Sequence, residues 1–183
     1  MSEPEIDPDE GLIAEAAEIA RPASAPERRP PIWSPSFLAA TFMGVGTIAV
    51  APGTWGSFVA LPCAAVLLMQ GGKPLLLGAA VGLFLVGLWA SRRYMAKVRA
   101  HDPGDIVVDE VVGQWLTLLA GSGSTGSFIF GFFLFRLFDV LKPWPVTRLD
   151  RHVPGAFGVM IDDVAAAGYA GTVLWVLTVW TDL

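Results

Sequence analysis

The stretch that decides the fold is Pro74–Ala90, PLLLGAAVGLFLVGLWA, seventeen residues without a charge. As a helix it is about 25 Å long, against a bilayer hydrocarbon core of about 30 Å. A second run of the same length, Val164–Trp180, reads VAAAGYAGTVLWVLTVW. Two further apolar regions are Phe58–Met69 and the split pair Val111–Ala120 and Phe128–Phe135. The split is GSGSTG at 121–126, a turn that joins two short helices into a hairpin. The fold class is therefore all-α: a polytopic helical membrane protein, one bundle with about four to five membrane-embedded helices.

Composition agrees. Of 183 residues, 54% are apolar and only 16% charged, where soluble domains carry about 25% charged residues. The single cysteine, Cys63, excludes a disulfide scaffold and a Cys-rich zinc site. Two histidines, His101 and His152, are too few for a multi-His metal centre. A pI of 4.9 argues against nucleic acid as a partner.

The net charge of −5 resides in the first 35 residues, which hold eight acids, three bases and seven of the fourteen prolines. Residues 1–35 read as a disordered, acidic, Pro-rich cytoplasmic tail, with a short helical stretch near Leu12–Ala20. Residues 36–183 form the membrane domain. With the tail inside, spans run at 57–70, 75–91, 106–120, 127–141 and 163–181. Eleven of the twelve basic residues then fall on the tail's side and only Lys73 opposite, as the positive-inside rule requires. Trp33–Val50 reads as a re-entrant or buried segment, because a full crossing would reverse that asymmetry.

This topology gathers the acids. No acidic residue occurs from Ser36 to Ala100. Asp105, Asp109, Glu110, Asp139, Asp162 and Asp163 then all fall at cytoplasmic helix ends, beside the turn Ala51-Pro-Gly-Thr54. Carboxylates at membrane depth are costly and mark function. The Pro-Gly turn, with Thr54 or Ser57 as a cap, offers N–H groups to an anion at a helix start. Arg136, Asp139 and Lys142 follow a three-residue spacing and lie near one helix face. Each motif alone has a plainer explanation: a capped turn, acids on a helix dipole, an interfacial Arg–Asp pair. Together, hard oxygen ligands suit Mg²⁺, and with Arg and Lys they suggest phosphate-ester chemistry.

At these residues the sequence resembles the phosphatidylglycerophosphatase A family of bacterial membrane lipid phosphatases. The matching blocks are GTIAVAPGTWGS (46–57), HDPGDIVVDEVVGQW (101–115), FRLFDVLKPWPVTRLDR (135–151) and GAFGVMIDDVAAAG (155–168). Ala156 departs from the family's usual glycine. The resemblance implies Mg²⁺-dependent hydrolysis of phosphatidylglycerophosphate to phosphatidylglycerol at the cytoplasmic face of the inner membrane. On that reading Asp109, Glu110, Asp162 and Asp163 hold Mg²⁺, with Asp139 a fifth acid. Arg136, Lys142 and the Gly53-Thr54 turn contact phosphate. Glu110, Asp139 and Asp163 are the catalytic acids, with Asp139 or Asp163 acting on the attacking water; an aspartyl-phosphate route stays open. Two alternatives are a small ion transporter, which would place its carboxylates nearer the midplane, and a lipid phosphotransferase, whose aspartate-rich helix is not visible.

Overall fold

The computed structural model describes residues 29–99, 103–144, 146 and 153–181. Most of the tail, the expected helix near Leu12–Ala20, His101 and His152 lie outside the described residues. Among the described residues every regular element is helical: α1 (Pro35–Ala40), a 3₁₀ turn (Val45–Thr47), α2 (Pro52–Val98), α3 (Val108–Leu118), α4 (Thr125–Leu141) and α5 (Gly155–Thr181).

The α1 helix starts where Ser34 caps it, the Ser34 hydroxyl accepting the Phe37 N–H at 3.2 Å, with Pro35 in the first turn. Six residues cannot cross a bilayer. Phe37 and Ala40 are buried, and the Phe37 ring packs 6.2 Å from that of Tyr94. The 33–50 segment thus packs on the bundle.

Helix α2 is one element in name and two in space. Gly72 takes φ 64° and ψ −160°, which only glycine adopts readily, and the chain folds back there. The proof is at the ends: Gly56 and Gly87 both pack on the start of α3, against Val107 and Val108. In a straight helix they would be about 46 Å apart. The arms, 52–71 and 73–98, pack small residues against each other and against α3, with Ala60, Ala64, Leu76 and Ala80 in one core cluster. Neither Thr54 nor Ser57 caps α2, a correction to the sequence reading. The cap position is Ala51, in the left-handed region at φ 50°, and the Ser57 hydroxyl instead donates to the Gly53 carbonyl at 3.0 Å.

Helix α3 is the hub. Nine of its eleven residues are buried, and the Trp115 indole N–H donates to the Ala60 carbonyl at 2.9 Å. Beyond the 121–124 turn, Ser124 caps α4 by accepting the Ser127 N–H at 3.1 Å. Helix α5 begins two turns earlier than the apolar run suggests, at Gly155. Asp162 and Asp163 are therefore interior to a helix rather than at its end. Ala166, Ala167, Ala170 and Gly171 give α5 a small-residue face, and that face is buried.

Two helices, α2 and α5, are long and apolar enough to cross a membrane, and in each the most apolar 18-residue window is only 28% buried. Helices that are apolar all round yet exposed are consistent with a membrane protein. The count of four to five embedded helices goes beyond these two. Trp55, Trp89, Trp144 and Trp180, placed near interfaces from sequence, are all exposed.

Candidate active site

One end of the bundle holds a pocket of about 440 Å³, lined by Pro52, Gly53, Gly104, Ile106, Asp109, Glu110, Arg136, Asp139, Lys142, Val153, Gly158, Val159, Asp162 and Asp163. Each element brings its share. The first turn of α3 presents Asp109 and Glu110. The last turns of α4 present Arg136 and Asp139. Lys142 ends α4 in the left-handed region, its N–H closing on the Phe138 carbonyl. Asp162 and Asp163 come from the third turn of α5.

Asp109, Glu110 and Asp163 converge. One carboxylate oxygen from each lies within 4.8 Å of the others. Asp109 and Asp163 are buried, while Glu110 keeps some exposure to the pocket. Two of their oxygens, Glu110 Oε2 and Asp163 Oδ2, are buried and have no hydrogen-bond partner. Buried acceptors in that state carry a desolvation cost that a cation removes. Three oxygen donors with spare lone pairs fit a hard divalent ion.

The remaining charges are paired beside the trio. Arg136 Nη1 lies 2.5 Å from Asp139 Oδ2 and 3.9 Å from Glu110 Oε1. Lys142 Nζ lies 2.6 Å from Asp162 Oδ2. Asp162, grouped with the metal acids from sequence, thus sits outside the tight trio and holds a lysine. Arg136 and Asp139 share a face as their spacing predicts. Thr54 is not among the lining residues, and its N–H donates to the Ala51 carbonyl at 3.0 Å.

The structure adds a role for glycine that motif reading missed. A Cβ on Gly53 would lie 2.0 Å from Glu110 Oε1 and 3.2 Å from Arg136 Nη1. A Cβ on Gly158 would lie 1.9 Å from the Val153 carbonyl oxygen, and one on Gly113 2.4 Å from the Phe135 ring. The signal was the glycine itself, read from sequence as a turn or an N–H donor. Ile106, Val153 and Val159 line the pocket with no sequence signal at all.

The model of the phosphatidylglycerophosphatase A family matches residues 38–178. A Haemophilus influenzae protein named phosphatidylglycerophosphatase A is 37% identical over 156 residues, 85% of this chain and 96% of that protein. The chain belongs to the phosphatidylglycerophosphatase A family. It is an enzyme of the phosphatase class. The Escherichia coli phosphatidylglycerophosphatase A is 33% identical over 143 residues, 78% of this chain and 83% of that protein. A Bacteroides thetaiotaomicron relative, provisionally named a phosphatidylinositol-3-phosphatase, is 36% identical over 153 residues, 74% of this chain and 91% of that protein. No solved structure matches the chain. All ten charged or glycine residues that line the pocket, from Gly53 to Asp163, fall inside the stretch the family model covers.

Proposed function

We propose that this chain hydrolyses phosphatidylglycerophosphate to phosphatidylglycerol and inorganic phosphate, with Mg²⁺, as a multi-pass protein of the bacterial inner membrane whose pocket faces the cytoplasm. The observation that carries the reading is the carboxylate trio, two of its members buried, beside Arg136 and Lys142 in one pocket. The asymmetry of basic residues supports the orientation.

Asp109, Glu110 and Asp163 would hold Mg²⁺, which when bound neutralises charge on the phosphoryl oxygens. Arg136 has donors beyond the one turned to Asp139, and a guanidinium presents them in a plane that suits phosphate. Asp139 fixes that plane. Asp162 holds Lys142 at the pocket wall, where the ammonium is a point charge for the phosphate. A water oxygen bonds to phosphorus as the bond from phosphorus to the glycerol oxygen breaks. The water's proton passes to a carboxylate, Asp139 or Asp163, and the glycerol oxygen leaves as a hydroxyl by taking up a proton. The acyl chains stay with the apolar helix faces.

The test is phosphate release from phosphatidylglycerophosphate by the purified protein in detergent, with phosphatidylinositol 3-phosphate as the competing headgroup. Release with Mg²⁺, its loss in EDTA and its return with excess Mg²⁺ is the expected result. A folded protein that releases nothing from phosphatidylglycerophosphate, or that releases phosphate only from phosphatidylinositol 3-phosphate, overturns the proposal.

A further inference from the structure

Asp105 was singled out with the other acids, yet it lies outside the pocket lining and takes no part in the chemistry above. Its carboxylate is nevertheless engaged on both oxygens. The Tyr94 hydroxyl donates to Oδ2 at 2.6 Å. Arg29 reaches the same oxygen through Nε at 3.0 Å and Oδ1 through Nη2 at 3.4 Å. Tyr94 is fully buried in the second arm of α2, and its ring is packed against Phe37. A buried phenol therefore anchors an acid on a loop, and an exposed arginine closes over it.

The loop so held is the short connection into α3. Gly104 and Ile106 on it line the pocket, and Asp109 and Glu110 follow within one turn. Its backbone is held as well. The Val107 N–H donates to the Ala40 carbonyl and the Ile106 N–H to the Pro103 carbonyl, each at 3.0 Å. Gly46 packs so closely that a Cβ there would lie 2.0 Å from the Asp105 carbonyl oxygen. Val107, the residue before α3, caps it with no side-chain hydrogen bond. The direction in which α3 enters the bundle is thus set by this loop rather than by a capping side chain.

We propose that Asp105 is a positioning residue, and that the Tyr94–Asp105–Arg29 clamp fixes the loop that aims Asp109 and Glu110 into the pocket. The proposal rests on the phosphatase reading for its kinetic consequence only. A displacement of about 1 Å in a reacting geometry costs up to about 100-fold in rate. Tyr94 and Asp105 should carry most of the effect, because their contact is the buried one. Arg29 is exposed, so its share is small and falls with salt.

The experiment is a cycle of Tyr94→Phe, Asp105→Asn and the double variant in the full chain. Turnover of phosphatidylglycerophosphate is measured together with thermal melting and hydrogen exchange. Each single variant should lower kcat/KM about 10-fold or more at an unchanged melting temperature, and the double should lose no more than the worse single. Amides of 104–107 should exchange faster in both, with the rest of the bundle as before. Arg29→Ala should lose about twofold in low salt and less in high salt. Rates within twofold of the parent, losses that multiply in the double, or losses that track melting temperature would each overturn the clamp. If the parent turns over no lipid phosphate, the function proposal falls instead. The clamp is then judged by exchange alone, and unchanged protection at 104–107 refutes it.

Discussion

Asp109-Glu110 and Asp162-Asp163 are both adjacent acids on helices, and both begin with the same local device. The first side chain of each pair accepts the N–H of the second, at 3.1 Å in both. There the likeness stops. Asp109 and Glu110 both enter the carboxylate trio, whereas the second pair is divided. Asp163 joins the trio and Asp162 turns to Lys142. Consecutive helical residues point about 100° apart in both pairs. The difference lies in what the diverging side chain meets: Asp162 has Lys142 at 2.6 Å, whereas Glu110 still reaches the oxygens of Asp109 and Asp163. Adjacent acids are thus not interchangeable, and the packing around each helix decides which of them joins the trio.

The sharpest test of that division compares Asp163→Asn and Glu110→Gln with Asp162→Asn. Loss of a trio member should cut phosphate release about 1000-fold, with protein still accumulating and folding, since one buried like charge has been removed. A Glu110→Gln enzyme retaining a tenth of parental activity would break the trio apart. Next comes Gly53→Ala, which forces a methyl group into the Glu110 carboxylate. It should lower kcat/KM about 30-fold without lowering expression. Its counterpart, Gly123→Ala in the turn at the opposite end, meets no atom within 4 Å but stands at φ +89°. That variant should cost about 1 kcal/mol in stability and leave turnover unchanged, as read by melting and assay.

Asp162→Asn should cost about 10-fold, mostly in KM, because it loosens Lys142, the lysine proposed to meet phosphate, and leaves the trio whole. Lys142→Gln should reproduce it, and the double variant should be no worse than either. The smallest effect is one of pH. Protons compete with a cation for the Asp109, Glu110 and Asp163 oxygens. The Mg²⁺ concentration for half-maximal activity should therefore fall as pH rises from about 6 to 8. A half-saturation point that does not move would place the cation elsewhere.

Much of this was legible in the chain. The Pro74–Ala90 run read correctly as helix and the GSGSTG break as a turn, because apolar length and glycine turns are local signals. The Arg136–Asp139 pair was legible for the same reason, lying three residues apart on one helix. Lys142–Asp162 and Tyr94–Asp105 were not, since their partners sit on different elements and no periodicity connects them. The start of α5 was misplaced because Gly155-Ala-Phe-Gly158 has the composition of a loop. Gly158 is helical there because only a residue without Cβ lets the turn approach the Val153 carbonyl. Thr54 and Ser57 were read as caps because the residue types suit the task, but the chain enters α2 through a left-handed Ala51, which turns their side chains to other uses.

Helix α3 carries one further consequence, for assembly. It has eleven residues and two acids in its first turn, and an acid at the centre of a membrane helix costs about 3 kcal/mol to insert. Alone it would be a poor candidate for entry into a bilayer. Its buried faces meet α2, α4 and α5, and its Trp115 finds a carbonyl only on the first arm of α2. Two of the three trio acids, Asp109 and Glu110, therefore ride on a segment poorly able to enter by itself, and the trio comes together only once the neighbouring helices are in place. A chain that fails to bring its helices together would have no assembled trio with which to act on phospholipid.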